Sequence, residues 1–202
     1  MAPAATILRP DEQLRHAGSA GRPALNVETR VVGEDDNPLP PGQVGEITHR
    51  SPHAALGYYN DEDKTAAAFK NSWFHSGDLG MFDDSGYLTI VDRKKDMIKT
   101  GGENVASREV EEAIYRLDGV AEVAVFGIPH PHWIEAVTAV VVPKPGAALT
   151  AEQVSAHARE LLAGYKRPKY VAMADHLPRN PSGKILKKEL RLTYAGLAKE
   201  MS

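Results

Sequence analysis

Cysteine is absent from the 202 residues, and that absence excludes disulfides, thiolate metal sites and a cysteine nucleophile together. It fits a reducing compartment. Long apolar runs are missing too: none approaches the roughly 20 residues that span a bilayer. The first eight residues lack the charged start and long apolar centre of a secretory signal. A soluble globular protein of the cytoplasm, without a transmembrane segment, is the expectation. Nor is there a strong excess of charge. The net value of -3 and an isoelectric point near 6.2 provide no global basic field of the kind that drives nucleic-acid binding. Any basic site must be local, and no nucleic-acid partner is expected.

What is present is enough apolar material, 42% of the chain, to bury the core of one domain or two small ones. Residues 1–20 carry little pattern, and Gly18-Ser-Ala-Gly-Arg-Pro23 reads as loop. Val27–Val32 and Val44–His49, separated by a turn-rich connection, read as a β-hairpin. The acids and alanines of Asp61–Phe69 suit a short helix, and Asp83-Asp-Ser-Gly86 turns into a strand ending at Val91. Residues 1–91 are therefore expected to be β-rich. After Asp92 the pattern changes. Ser107 is placed to cap a helix with Val110, Ile114 and Leu117 on one face. Val120–Phe126, Ala136–Val142 and Tyr170–Ala174 read as strands, and Thr150-Ala-Glu-Gln153 has the spacing of a capping box. A last basic helix is expected around Leu186–Lys199. The fold class is α+β: a β-rich, barrel-like part over 1–91, then a small α+β domain over 92–202. No internal repeat or low-complexity tract is present.

The two parts meet at Asp92-Arg-Lys-Lys-Asp-Met-Ile-Lys-Thr-Gly-Gly-Glu-Asn-Val105, where charges crowd behind a strand and a Gly-Gly pair precedes a helix. That order suggests a junction, although most Gly-Gly pairs are plain turns. Four places could carry chemistry. Asp78, beside Gly77, could accept hydrogen bonds from a ribose diol or simply close a turn. Asp92-Arg93 offers a carboxylate and a guanidinium suited to binding oxygens, or a solvated surface pair. Tyr165-Lys-Arg-Pro-Lys169 gathers three cations and a ring that would suit a phosphorylated nucleotide, though short charge runs are usually solvated faces. Lys184 follows Ser-Gly in a proline-bracketed loop; a mobile loop could bring its ammonium to a reacting phosphate. This is not a Walker loop, because Pro178 stands at the first glycine position and Ile185 follows the lysine. His130-Pro-His132 and His157 lack the further ligands of a metal site.

Gly77-Asp-Leu-Gly80, Asp92-Arg-x-Lys-Asp96, Gly101-Gly-Glu-Asn104 and Pro178-x-x-x-x-Gly-Lys184 stand in this order and at these separations. Together they resemble the C-terminal part of the adenylate-forming acyl-CoA synthetases, AMP-forming ligases that join an acid to a thiol. The likeness runs from about Gly18 to Arg191. It implies a two-step reaction: ATP converts a carboxylic acid to an acyl-adenylate with loss of pyrophosphate, and coenzyme A then displaces AMP. It also implies a mobile C-terminal domain that rotates between the steps about a hinge at Asp92. Asp78 and Arg93 resemble the ribose-binding residues, and Lys184 the lysine that bridges carboxylate and α-phosphate. Gly101 and Gly102 resemble the loop lining the pantetheine tunnel. Trp133, Tyr165, Arg167 and Lys169 stand where relatives contact the nucleotide end of coenzyme A.

The family's phosphate loop, its Mg2+-binding glutamate and its acyl pocket are expected upstream, outside these residues. The isolated chain is then expected to be inactive without a missing N-terminal domain or a complementing chain. Two other readings stand beside this one: a relative that loads carrier proteins, and a non-enzymatic module that binds coenzyme A or AMP. Arg167 and Lys169 weigh against the carrier reading, because a carrier's pantetheine arm has no 3′-phosphate. The acid itself, fatty, short-chain or aryl, is not legible, and neither is a homo-oligomer.

Overall fold

The computed structural model describes residues 4–200, which divide into two compact units between Lys95 and Asp96. Asp92, the expected hinge, lies four positions short of that division, inside a strand.

The first unit opens with a two-stranded pair, β1 (Thr6–Ile7) and β2 (Arg22–Pro23), in the segment where the sequence carries little pattern. Its main body is a curled, all-antiparallel five-stranded sheet. The strands are β3 (Glu28–Val32), β4 (Gly45–Arg50), β5 (Phe69–Lys70), β6 (Trp73–Phe82) and β7 (Leu88–Arg93). β3 and β4 pair as the expected hairpin. β6, ten residues long, pairs with β4 along one edge, while β5 and β7 share the other. No strand was expected across Trp73–Phe82, because Gly77 and Gly80 interrupt the alternation that marks one. Helix α1 (Glu62–Ala68) is capped by Asp61, whose side chain accepts from the Lys64 amide.

The apolar cluster at the centre of this unit is small, Val31, Ile47 and Leu88 with Leu39 and Phe82 packed against them, and Val27, Val32, Trp73 and Tyr87 are buried besides. Close backbone approach does part of the work. At Gly45 a Cβ would lie 2.3 Å from the Val32 carbonyl oxygen, so β3 and β4 meet at a distance that only glycine permits.

The second unit has a five-stranded sheet of β8 (Ile98–Thr100), β9 (Glu103–Val105), β10 (Val120–His130), β11 (Ile134–Pro143) and β12 (Tyr170–Met173). β10 and β11 form a long antiparallel hairpin, and β12 joins β11 in parallel. The nearly continuous apolar runs of β10 and β11 follow from burial on both faces. Val123, Val125, Val137, Ala139 and Val141 pack against helices α2 (Ser107–Tyr115) and α3 (Ala151–Leu161). Ala124, Phe126, Ile128, Ala136 and Val140 face the other way, toward α4 (Lys187–Thr193) and α5 (Leu197–Glu200).

The capping box at Thr150 and Gln153 is present in full. Two details depart from expectation. Ser107 is not the cap of α2 but its first residue, after an Ala106 that makes no side-chain cap bond; its hydroxyl instead accepts a hydrogen bond from Lys187. The single basic helix expected over 186–199 is two short helices, because the chain leaves helical geometry at Tyr194 and Gly196 lies before α5.

Candidate functional site

The site residues fall into three groups, one in the first unit and two in the second. In the first, Asp78 and Arg93 sit directly opposite each other on β6 and β7, so the strand register itself brings them together. Arg93 Nε donates to Asp78 Oδ1 at 3.1 Å, with both side chains part-exposed. Among the described residues, neither Asp78 Oδ2 nor the terminal guanidinium nitrogens of Arg93 has a further partner. Ser76 and Gly77 shape the backbone beneath. Ser76 Oγ donates to the Ile47 carbonyl at 2.7 Å and accepts from the Asp78 amide at 3.1 Å, and Gly77 takes a φ of 72°.

Glu46 supports this turn. It accepts from the Gly77 amide at 3.2 Å and from Lys94 Nζ at 2.9 Å, and lies 3.3 Å from His75 Nδ1. Burial pushes its carboxyl pKa up, but the hydrogen bonds and charges of Lys94 and His75 outweigh burial and hold it below the usual range. Close by, burial pushes the His49 imidazole down, against the opposing charge of Asp78. Asp92 is buried opposite Leu79, and its Oδ1 accepts from the Arg93 amide at 2.7 Å.

In the second unit an open groove of about 630 Å³ is lined by Gly101, Gly102, Trp133, Ile134, Tyr165 and Lys169, among others. Its size lies within the ordinary range for ligand sites. Gly101 and Gly102 are the two-residue turn between β8 and β9, with φ of 59° and 86°. Positive φ at both positions is what a type I′ hairpin turn requires. The Gly101 amide donates to the Trp133 carbonyl at 3.0 Å, and a Cβ on Gly101 would come within 3.9 Å of the Trp133 ring. The tip of the β10–β11 hairpin therefore lies against the glycine turn.

Trp133 is fixed from two sides. Its ring stacks on His130 at 4.3 Å, and Lys169 Nζ sits 4.7 Å from the ring centre. Next to it Ile134, an exposed β-branched residue, holds a φ of 70° in the left-handed region, a conformation costing about 1–3 kcal/mol. The sequence carries no sign of that strain. Tyr165, in a 3-10 turn (Gly164–Lys166), closes the far wall. Arg167 does not join this groove. Its guanidinium donates to the carbonyls of Leu162 (2.9 Å) and Arg159 (3.0 Å), satisfying the C-terminal end of α3.

Lys184, in the third group, occupies a tight turn closed by an Arg179–Ile185 bridge. Asn180 Oδ1 accepts from the Lys184 amide at 2.8 Å and from the Ser182 amide and hydroxyl at 3.1 and 2.8 Å. The turn is built, not slack, and the exposed Lys184 ammonium has no partner among the described residues. Lys187, three positions on, pairs with Glu111 at 2.8 Å; neither residue was singled out in the sequence, where each is one charge among many. Among the described residues no group of three or more His, Asp or Glu side chains is placed to hold a metal ion, and no helix is long and apolar enough to cross a membrane.

Comparison with known proteins places this geometry. A family model described as the AMP-binding enzyme C-terminal domain matches residues 109–184, and one described as AMP-binding enzyme matches 1–59. The feruloyl-CoA synthase of an Amycolatopsis species is 43% identical over 193 residues, which is 96% of this chain and 39% of that protein. A long-chain-fatty-acid–CoA ligase of Escherichia coli O6:H1 is 45% identical over 176 residues, 87% of this chain and 31% of the ligase. Among solved structures, the o-succinylbenzoate CoA synthetase MenE of Bacillus subtilis, in complex with its acyl-adenylate intermediate, superposes with a TM-score of 0.87 at 34% identity. That match covers 93% of this chain and 38% of MenE. The chain thus spans about one third to two fifths of the length of such relatives. With both family models matched in order and the fold shared, the chain belongs to the AMP-binding, adenylate-forming enzymes and corresponds to the C-terminal part of their acyl-CoA ligases.

Proposed function

We propose that this chain is the part of an acid–CoA ligase that holds the ribose of ATP, presents the adenylation lysine and forms the wall along which coenzyme A reaches the acyl-adenylate. In the first step the acid's carboxylate attacks the α-phosphorus of ATP and pyrophosphate leaves. Both reactants are anionic, and a cation between them, Lys184, lowers the repulsion and favours near-attack geometry. Asp78 Oδ2 accepts from the ribose hydroxyls while Arg93, held by Oδ1, offers its remaining N–H groups. In the second step the thiol sulfur attacks the acyl carbon and AMP leaves. The thin pantetheine arm passes over Gly101 and Gly102, where no side chain stands in its way. Tyr165 offers a ring face to the adenine end beside Trp133, whose own ring is held by His130 and Lys169, and the Lys169 ammonium offers a charge to the 3′-phosphate. The domain rotates about Asp92 between the steps, and Mg2+, ATP phosphates and acid are held by residues outside this chain. These substrates fit a cytoplasmic location.

The observation that carries this reading is the convergence of the glycine turn, Trp133, and the Tyr165 and Lys169 stretch, three separate segments, on one groove. Arg167 is left out of the groove because its hydrogen bonds serve α3. The test is calorimetric titration of the chain with coenzyme A and with its 3′-dephospho form, alongside mass-spectrometric search for acyl-CoA in the presence of ATP, Mg2+ and mixed acids. Tighter binding of coenzyme A, with no product from the isolated chain, is the expected result. Equal binding of the two forms would favour a carrier-protein substrate, and absence of binding to either would remove the groove's assignment.

A further inference from the structure

The turn that carries Lys184 is tied to the body of its unit at both ends. On the N-terminal side, Arg179 donates one terminal nitrogen to the Gly183 carbonyl at 2.6 Å and the other to Glu122 Oε2 on β10 at 2.7 Å. On the C-terminal side, Lys187 Nζ meets Ser107 Oγ and Glu111 Oε1, each at 2.8 Å. Glu111 Oε1 also accepts the Val125 amide at 2.8 Å, so α2, β10 and the start of α4 converge on one carboxylate. Lys187 and Glu111 are largely withdrawn from water, with 17% and 19% of their side chains exposed.

Helix formation does not explain Lys187. A cation in the first turn of a helix opposes the helix dipole, and α4 has no side-chain cap to offset it. What its placement does achieve is to fix the chain three residues beyond Lys184. Arg179 fixes it at the carbonyl immediately before Lys184. Neither ion pair touches the Lys184 ammonium, which is left with its charge unshared.

We propose that Arg179 and Lys187, through Glu122 and Glu111, are positioning residues for Lys184: they clamp the two ends of its turn so that the ammonium is presented in one place. The proposal rests on the reading of Lys184 as the adenylation lysine. A side chain whose base wanders by about an ångström loses on the order of 100-fold in rate, so the clamp, though remote from the reacting atoms, bears on the first step and not on the second.

The test has two arms. In this chain, Arg179→Met and Lys187→Met are compared with the parent by amide hydrogen exchange. Faster exchange at Gly183 and Lys184, with α3 unchanged, is expected; unchanged exchange at the turn in both variants overturns the positioning role. In an intact ligase carrying this sequence as its C-terminal part, acid-dependent pyrophosphate exchange is expected to fall by about 100-fold in Lys187→Met and about tenfold in the more exposed Arg179→Met. Thioester formation from supplied acyl-adenylate should persist, and Lys187→Arg should restore adenylation in part. Equal loss of both half-reactions would reduce the clamp to a fold-stabilising role and overturn the proposal. Lys184→Ala separates the two layers: if it leaves adenylation intact, the reading of Lys184 falls, whatever the exchange data say. Arg179 lies at the surface, so its variant keeps the test alive if Lys187→Met fails to fold.

Discussion

The two units solve the same problem with different means. The first has, among the described residues, a small apolar cluster at Val31, Ile47 and Leu88 with few buried apolar side chains besides, and relies also on backbone contact at Gly45 and on a polar cluster of Glu46, His75, Lys94, Asp78 and Arg93. The second buries a sheet on both faces, and most of β10 and β11 is withheld from water. Hydrophobic burial is non-directional and tolerates some repacking, whereas polar and backbone contacts demand particular geometry. The first unit should therefore be sensitive to shape and pH, and the second to lost volume. The sequence's two tryptophans allow this to be read separately, because Trp73 belongs to the first unit and Trp133 to the second.

The largest contrast is expected from Phe126→Ala. Phe126 is fully buried, and truncating such a ring costs about 3–5 kcal/mol. The urea midpoint reported by Trp133 in a Trp73→Phe background should fall accordingly. An equal fall in the Trp73 signal of the converse background would break the comparison, because the units would then unfold together.

A smaller contrast sets one glycine against another. Gly45→Ala would drive a methyl into the Val32 carbonyl oxygen at 2.3 Å, and overpacking of this kind costs about 1–3 kcal/mol. At Gly127 the added methyl would meet the Glu135 carboxylate, 2.8 Å away. That group ends a flexible side chain, although it accepts the Lys99 amide at 2.7 Å. Gly127→Ala should therefore cost less in urea denaturation than Gly45→Ala; the reverse order would show that backbone contact is not what stiffens the first unit.

The smallest effect is a pH dependence. Burial lowers the pKa of His49 in the folded state, so folding favours the neutral ring. Its contribution is fully present above the unfolded value of about 6.5 and is lost as pH falls through the lower folded value. Between pH 7.5 and 5.5 the Trp73 midpoint should drop, and His49→Gln should flatten the drop. A profile unchanged by the substitution would assign the pH response to another group.

How much of this was legible in the sequence follows the same division. In the second unit, β-branched runs and helical periodicity at Val110, Ile114, Val154 and Ala158 identify the buried faces directly. The last helix differs from expectation because the leucines and basic residues on either side favour helix while the chain turns across Tyr194–Gly196. In the first unit, β6 was missed because a strand that contains Gly77 and Gly80 and carries half-buried polar residues has no alternating signature. Asp78, Arg93 and the glycine turn stand out through the order and spacing of motifs. Their geometry does not, because opposition of Asp78 and Arg93 depends on strand register. Arg167 shows the converse limit: a basic cluster in sequence disperses in space, with one cation on the groove and another at a helix end. The clamp around Lys184 was invisible because its partners, Glu111 and Glu122, lie 57 or more residues away from Arg179 and Lys187.

Ile134 connects backbone strain to the groove wall. An exposed β-branched residue in the left-handed region contributes little burial and raises the energy of the fold. Asn or Gly would sit there with less strain. A substitution that relieved the strain at Ile134 would therefore also change the groove wall that Ile134 lines.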